Sequence, residues 1–209
     1  MKKVIKIFGA LLIATAFMTS CGTSQPENKY LGKIPGVVQK HNKERERILE
    51  AQNKAKSPEE YAKLKKQLSE HDKELNNWMT GYGSSGEIKP NIPFEVAGEF
   101  PYIVDEVGFI INGSVVEVTF LLTTKENFKV QIPRQKITLY FIGLDSNNSP
   151  IVLSAMVAGM YDIREALPAG SKITLKGIWN KDHLSFLQDL ASIRIISQNQ
   201  YKEFNKGKR

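Results

Sequence analysis

The chain has 209 residues, 41% hydrophobic and 24% charged, with 29 basic residues against 22 acidic ones and a single cysteine. That length allows one domain with a sizeable core plus an appendage, and one cysteine excludes a disulfide within the chain. The mild positive balance falls short of the concentrated basic face that nucleic-acid binding requires.

Met1-Lys2-Lys3 is a basic head, and residues 5–17 are apolar apart from Lys6. This is the pattern of a secretory signal, placed over residues 1–20. Its apolar run is too short to span a hydrocarbon core, which takes about twenty residues. Removing Lys2, Lys3 and Lys6 leaves 26 basic and 22 acidic residues, a formal charge of +4. The signal ends in Met18-Thr19-Ser20-Cys21-Gly22, which resembles the lipobox of bacterial lipoproteins, with Met18 where Leu usually stands. The resemblance implies cleavage before Cys21, lipid on its sulfur, and a membrane as partner through the acyl chains, each buried methylene contributing about 0.8 kcal/mol. Gly22 occupies the place where Asp would retain such a protein in the inner membrane, so the resemblance also implies the outer membrane. Residues 23–28 hold one acid, Glu27, and leave the periplasmic and outward faces both open.

Residues 21–33 are polar and read as a lipidated tether. Residues 34–82 carry mixed charge and almost no β-branched side chains after Val38, which predicts a helical hairpin. Ser57 suits an N-cap, Pro58 the first helical position and Glu59-Glu60 the positive end of the helix dipole, so a second helix starts at Pro58. It is expected to reach about Trp78, with Gly81 and Gly83 as stop signals. Tyr61, Leu64, Leu68, Leu75 and Trp78 form a heptad seam in which His71 fills the missing step, and Ile34, Val38, His41, Arg45, Ile48, Gln52 and Ala55 form a weaker one. Folding back at Lys56-Ser57 pairs Ile48 with Leu64, Val38 with Leu75, Ile34 with Trp78 and His41 with His71. Two imidazoles supply half of a tetrahedral metal site, which Glu44, Glu70 or Glu74 would extend. They also suit a pH-sensitive joint, and the plainer reading, which is preferred, is of partly solvated polar seam positions. No cofactor is expected.

Residues 83–92, with Gly83-Ser84-Ser85-Gly86 and Pro90, read as a linker, and residues 93–197 as a β domain. A first strand falls within residues 94–100. Residues 107–111 and 115–123 flank Asn112-Gly113, a pair that favours a type I′ hairpin turn. Val116, Val118, Phe120 and Leu122 then share the inward face. Residues 136–144 alternate with Ile137, Leu139 and Phe141 inward. Residues 128–132 and 151–154 predict two short strands, and residues 145–150 a turn. Residues 162–167 read as a short helix before Pro168. Residues 172–179 alternate again with Ile173, Leu175 and Trp179 on one face, and residues 184–197 supply one or two last strands with Ile193 and Ile195 inward. The basic tail, residues 198–209, reads as a solvated end.

The expected fold is mainly β with an N-terminal α-helical hairpin, the β domain forming an antiparallel sandwich or barrel. Phe141-Ile142-Gly143-Leu144-Asp145 leading into Pro150-Ile151 resembles a strand and turn of the immunoglobulin-like sandwiches found in envelope lipoproteins. A rival resemblance, carried by the short helix, residues 170–177 and a final strand, is to the second half of an OB-like barrel. The two differ at residues 163–167: a helix plugging a closed barrel, or a loop between two sheets.

No Gly-x-Ser-x-Gly elbow, His-Glu-x-x-His or phosphate-binding glycine loop is present, and Cys21 is committed elsewhere. His183 falls in a predicted turn, and Asp105-Glu106 point to opposite faces of a strand. The expected role is therefore non-catalytic. Trp179 reads as a core or edge aromatic or, alternatively, as a sugar-stacking platform that Tyr140 and Lys176 would join if their strands were neighbours. The expected partner is an envelope protein or glycan, bound through the β domain, and the alternative is an OB-like barrel holding an oligosaccharide or other extended ligand.

Overall fold

A computed structural model describes residues 27–131, 136–151 and 156–206. Residues 1–20, Cys21 and the segment 152–155 lie outside the described residues, and so do the predictions made for them.

Two helices, α1 (Ile34–Asn53) and α2 (Pro58–Ser84), open the described chain. Ser57 caps α2, its hydroxyl accepting the Glu60 amide at 3.1 Å with Pro58 next in the chain. The helices run in opposite directions, since His41 lies on His71 while the Lys33 amide donates to the Tyr82 hydroxyl at 3.1 Å. Gly81 and Gly83 do not stop α2, which continues to Ser84. Gly83 instead serves packing: a Cβ there would lie 2.9 Å from the Ile111 side chain, so only glycine lets the helix come this close to the sheet.

Seven strands follow: β1 (Phe94–Ala97), β2 (Tyr102–Asn112), β3 (Val115–Thr124), β4 (Lys136–Leu144), β5 (Met156–Asp162), β6 (Lys172–Trp179) and β7 (Ser192–Ile196). They form a four-stranded sheet in the order β1-β7-β4-β5 and a three-stranded sheet in the order β2-β3-β6. All pairs are antiparallel except β1 with β7, which is parallel and departs from the expected wholly antiparallel layer. Residues 90–92 extend the smaller sheet past β2, where the Phe109 amide donates to the Pro90 carbonyl at 2.7 Å. The two sheets meet at one corner. There Gly159 of β5 has φ +41°, and a Cβ on it would lie 3.0 Å from the Lys176 carbonyl of β6.

The β2–β3 turn is centred on Gly113-Ser114, one residue later than predicted, because Asn112 pairs with Val115. Gly113 takes φ +58°, the left-handed value that glycine supplies without strain. The inward face of β3 is as predicted, with Val116, Val118, Phe120 and Leu122 buried. In the larger sheet Ile137, Leu139, Phe141, Ile193 and Ile195 are buried too. Phe120 meets Phe141 at 5.0 Å between ring centroids, and Trp179 lies 5.7 Å from both Phe109 and Phe141. Ile34, Val38, Leu75 and Met79 join the same buried cluster, so helices and sheets share one core.

Three further expectations are corrected. Residues 162–167 contain no helix: β5 runs to Asp162, and Leu167 exchanges two backbone hydrogen bonds with Phe128, 2.8 and 2.9 Å. Pro168 adds to this by disfavouring helical backbone at Leu167. Residues 28–33 are folded rather than tether, with Leu31 fully buried and Asn28 and Gly32 exchanging bonds of 2.9 and 2.8 Å. The tail carries a helix. Asn180 caps a short helix, α3 (Lys181–Leu184), and α4 (Gln198–Lys206) closes the described chain.

Candidate functional site

Alternation along β4 sends Ile137, Leu139 and Phe141 inward and Tyr140 and Ile142 to the opposite face of the sheet. Helix α4 packs on that face through Tyr201 and Phe204, with the Tyr201 ring 4.4 Å from that of Tyr140 and tilted by 33°. Its start is fixed by a capping box. The Gln200 side-chain oxygen accepts the Ser197 amide at 2.9 Å, and the Ser197 hydroxyl accepts the Gln200 amide at 3.3 Å.

At the end of the layer where β4 and β2 begin lies a cleft of about 350 Å³, lined by Phe100, Tyr102, Phe128, Lys136, Tyr140 and Gln198 among others. Phe100 and Tyr102, two apart on an extended stretch, stack at 5.2 Å. Tyr102 is buried, its hydroxyl donating to the Thr138 carbonyl at 3.4 Å, and burial, with a smaller contribution from Tyr140, pushes its phenol well above the usual range. Phe128 is held at the wall by its bridge to Leu167. Lys136 lies 3.6 Å from Asp162, and Glu99 brings a carboxylate to the same cleft. Tyr102 and Phe128 are buried at the wall, so Phe100 and Tyr140, both half-buried, are the rings that keep exposed surface beside an ammonium, a carboxylate and an amide. The arrangement can stack on a ring or apolar face while hydrogen-bonding polar substituents.

The three side chains proposed for a ligand surface do not converge. Trp179 is a core residue with no exposed surface, and no partner for its indole N–H is found among the described residues. The platform reading is thereby corrected, because the neighbouring sheet covers the face it shares with Ile173 and Leu175. Lys176 is exposed on the outer face of the smaller sheet, 2.6 Å from the Glu117 carboxylate. Hydrogen bonds from Asn112 and Lys176 hold Glu117 below the usual carboxylate range. Only Tyr140 lines the cleft. Asp105 accepts the Thr123 hydroxyl at 2.5 Å and Lys172 at 2.9 Å, and these bonds lower its pKa in that order. His183 lies in α3, half buried rather than in an exposed turn.

His41 and His71 are brought together. Their rings stack at 4.1 Å with 6° between planes, and both are buried. His71 Nε2 lies 3.1 Å from the His41 carbonyl, and His71 Nδ1 is 3.9 Å from Glu74. One oxygen of Asp72 is approached by His41 Nε2 at 3.3 Å, Arg45 Nε at 3.4 Å and Lys181 Nζ at 3.3 Å. The first two approaches are too poorly aligned to be hydrogen bonds. Asn42 adds a bond to the Lys181 carbonyl at 3.4 Å, so this cluster ties both helices to α3. Among the described residues no three His, Cys, Asp or Glu side chains are grouped to hold a metal ion.

Burial lowers the His41 pKa, and the neighbouring His71 lowers it further, outweighing the opposing effects of Asn42 and Asp72. The folded chain thus binds a proton at His41 less readily than the unfolded chain does. Stability is fully present above the ordinary histidine value of 6.5 and is lost as pH falls below it. Urea midpoints measured from about pH 8 down to about pH 5 are expected to fall on the acid side, and less so in His41→Phe, which keeps a ring in the stack and removes the titration. An equal fall in both proteins would assign the acid sensitivity elsewhere.

No family model, curated protein or solved structure matches the chain. Among the described residues no helix is long and apolar enough to cross a membrane.

Proposed function

We propose that this chain is a non-catalytic, lipid-anchored protein of the bacterial outer membrane, carrying its binding role in the β layer. The observation that supports binding is the cleft beside Tyr140, where the half-buried rings of Phe100 and Tyr140 keep exposed surface, Tyr102 and Phe128 are buried at the wall, and Lys136, Glu99 and Gln198 supply polar groups. Aromatic faces with polar groups at their edges suit an extended ligand with alternating apolar and hydroxylated faces, and an envelope oligosaccharide fits that description. The paired helices serve as an arm docked on the smaller sheet through Gly83 and on α3 through the cluster around Asp72.

The absence of a helix at residues 163–167, together with strands in two separate sheets, favours a sandwich over an OB-like barrel. The order β1-β7-β4-β5 with β2-β3-β6 is not the strand arrangement of immunoglobulin domains, so the proposal keeps the sandwich without that connectivity.

Calorimetric titration of the mature protein with a panel of cell-wall and outer-membrane oligosaccharides tests the binding role. Tyr140→Ala is expected to weaken the best ligand by about tenfold, as loss of one stacked ring does. A ligand bound equally well by wild type and Tyr140→Ala would move the site away from the cleft. For the anchor, Cys21→Ser is expected to leave a protein that stays in the aqueous phase on detergent partition, and continued partition into detergent would refute lipidation at Cys21.

A further inference from the structure

The first described residues are tied to the far end of the chain. The Asn28 side chain accepts the amides of Tyr30 and Leu31, both at 2.8 Å. Its amide group donates to the carbonyls of Leu187, Gln188 and Leu190 at 3.2, 2.9 and 2.9 Å. Asn28 stands seven positions after Cys21 in the sequence, and seven residues reach at most about 25 Å when fully extended. A chain held at Cys21 by lipid therefore keeps the loop 187–190 within that distance of the headgroups.

Phe186 immediately precedes this loop. At 65% exposure it is the most exposed large hydrophobic side chain among the described residues, although Leu184 and Leu187 on either side are fully buried. Lys29 and Lys33 are exposed on the short segment between Asn28 and α1, with Lys33 3.7 Å from Glu27. Asp182, His183 and Asp189 flank Phe186 in sequence, so the charges here nearly balance and an aromatic ring is the stronger determinant of orientation. An exposed Phe gains by burial at the boundary between headgroups and acyl chains, and a tether raises the effective concentration of the surface enough for a weak contact to persist.

We propose that Phe186, with the surface of residues 29–33 around the Asn28 clasp, is a bilayer-contact patch that lays the folded body on the membrane holding Cys21. This rests on the lipid-anchor reading given above. In the lipidated protein the Cys21 sulfur is blocked, so a cysteine introduced by Ser185→Cys is the sole free thiol. The experiment places an environment-sensitive fluorophore there, in lipoprotein reconstituted into phosphatidylethanolamine–phosphatidylglycerol vesicles containing nitroxide-labelled phospholipid. The same label in Tyr61→Cys, near the connection between the two helices, is the reference. Quenching at 185 is expected to exceed that at 61 by roughly threefold and to fall to the reference level when Phe186→Ser is added. Equal quenching at the two positions, in protein whose intact mass carries the lipid, would overturn the patch and leave the anchor standing. A mass without lipid would overturn both.

Discussion

Trp179→Ala is expected to lower the unfolding free energy by about 3–5 kcal/mol, the range for truncating a fully buried large aromatic. Trp179 has no exposed surface, ends β6, and touches rings from both sheets, Phe109 and Phe141. Its ring also approaches Gly143, whose missing side chain leaves room for Trp179 and Leu190; a Cβ there would lie 3.0 Å from Leu190 and 3.7 Å from the indole. Truncation would open a void at the centre of the layer, where strands on both sides hinder collapse. Trp179→Phe fills most of it and removes the unpartnered indole N–H, so a smaller loss is expected. Urea unfolding with an unchanged slope reads this directly. A loss below about 1 kcal/mol for Trp179→Ala would mean that the two sheets are not packed face to face through this ring.

The second large effect is expected at Asn28. Asn28→Ala removes five side-chain hydrogen bonds and leaves carbonyls of the loop 187–190 and two amides in a buried environment without that partner. At about 0.5–1.5 kcal/mol for each bond, and with sharing among the three carbonyls, the loss is about 3 kcal/mol. Tyr30 and Leu31, buried beside it, should lose amide-exchange protection along with Leu190. Unchanged protection in residues 28–33 would show that the hydrophobic contacts alone hold the segment.

What was legible in the sequence was whatever a single strand or helix face decides. Alternation placed Ile137, Leu139, Phe141, Ile173 and Leu175 inward without knowledge of pairing, because period two is a property of the extended chain itself. It put Trp179 on the same face, which is why the ring is core and not platform. The aromatic cleft was not legible. Phe100, Tyr102, Phe128 and Tyr140 come from segments joined by a parallel β1–β7 pair and a lone Phe128–Leu167 bridge, and no local pattern encodes either. The α4 helix does have a local signal, Ser197 with Gln200 as a capping box and Tyr201 and Phe204 three apart on one face, but the basic charge of residues 198–209 reads more simply as a solvated end. Gly83 misled because a glycine near a helix end reads as a stop, whereas here it is space for Ile111.

The pairing of β1 with β7 also bears on how quickly the chain reaches this structure. Phe94 aligns with Ile193 and Asn28 clasps the loop 187–190, so two early segments are completed only by late ones. Closing loops of about 100 residues for the β1–β7 pair and about 160 for the Asn28 clasp before such contacts contribute makes for slow folding. A chain emerging from its N-terminus must keep β1 without its β7 partner and Asn28 without its loop until residues 187–196 have been made. Synthesis arrested before residue 187 would leave both ends of the fold without their partners.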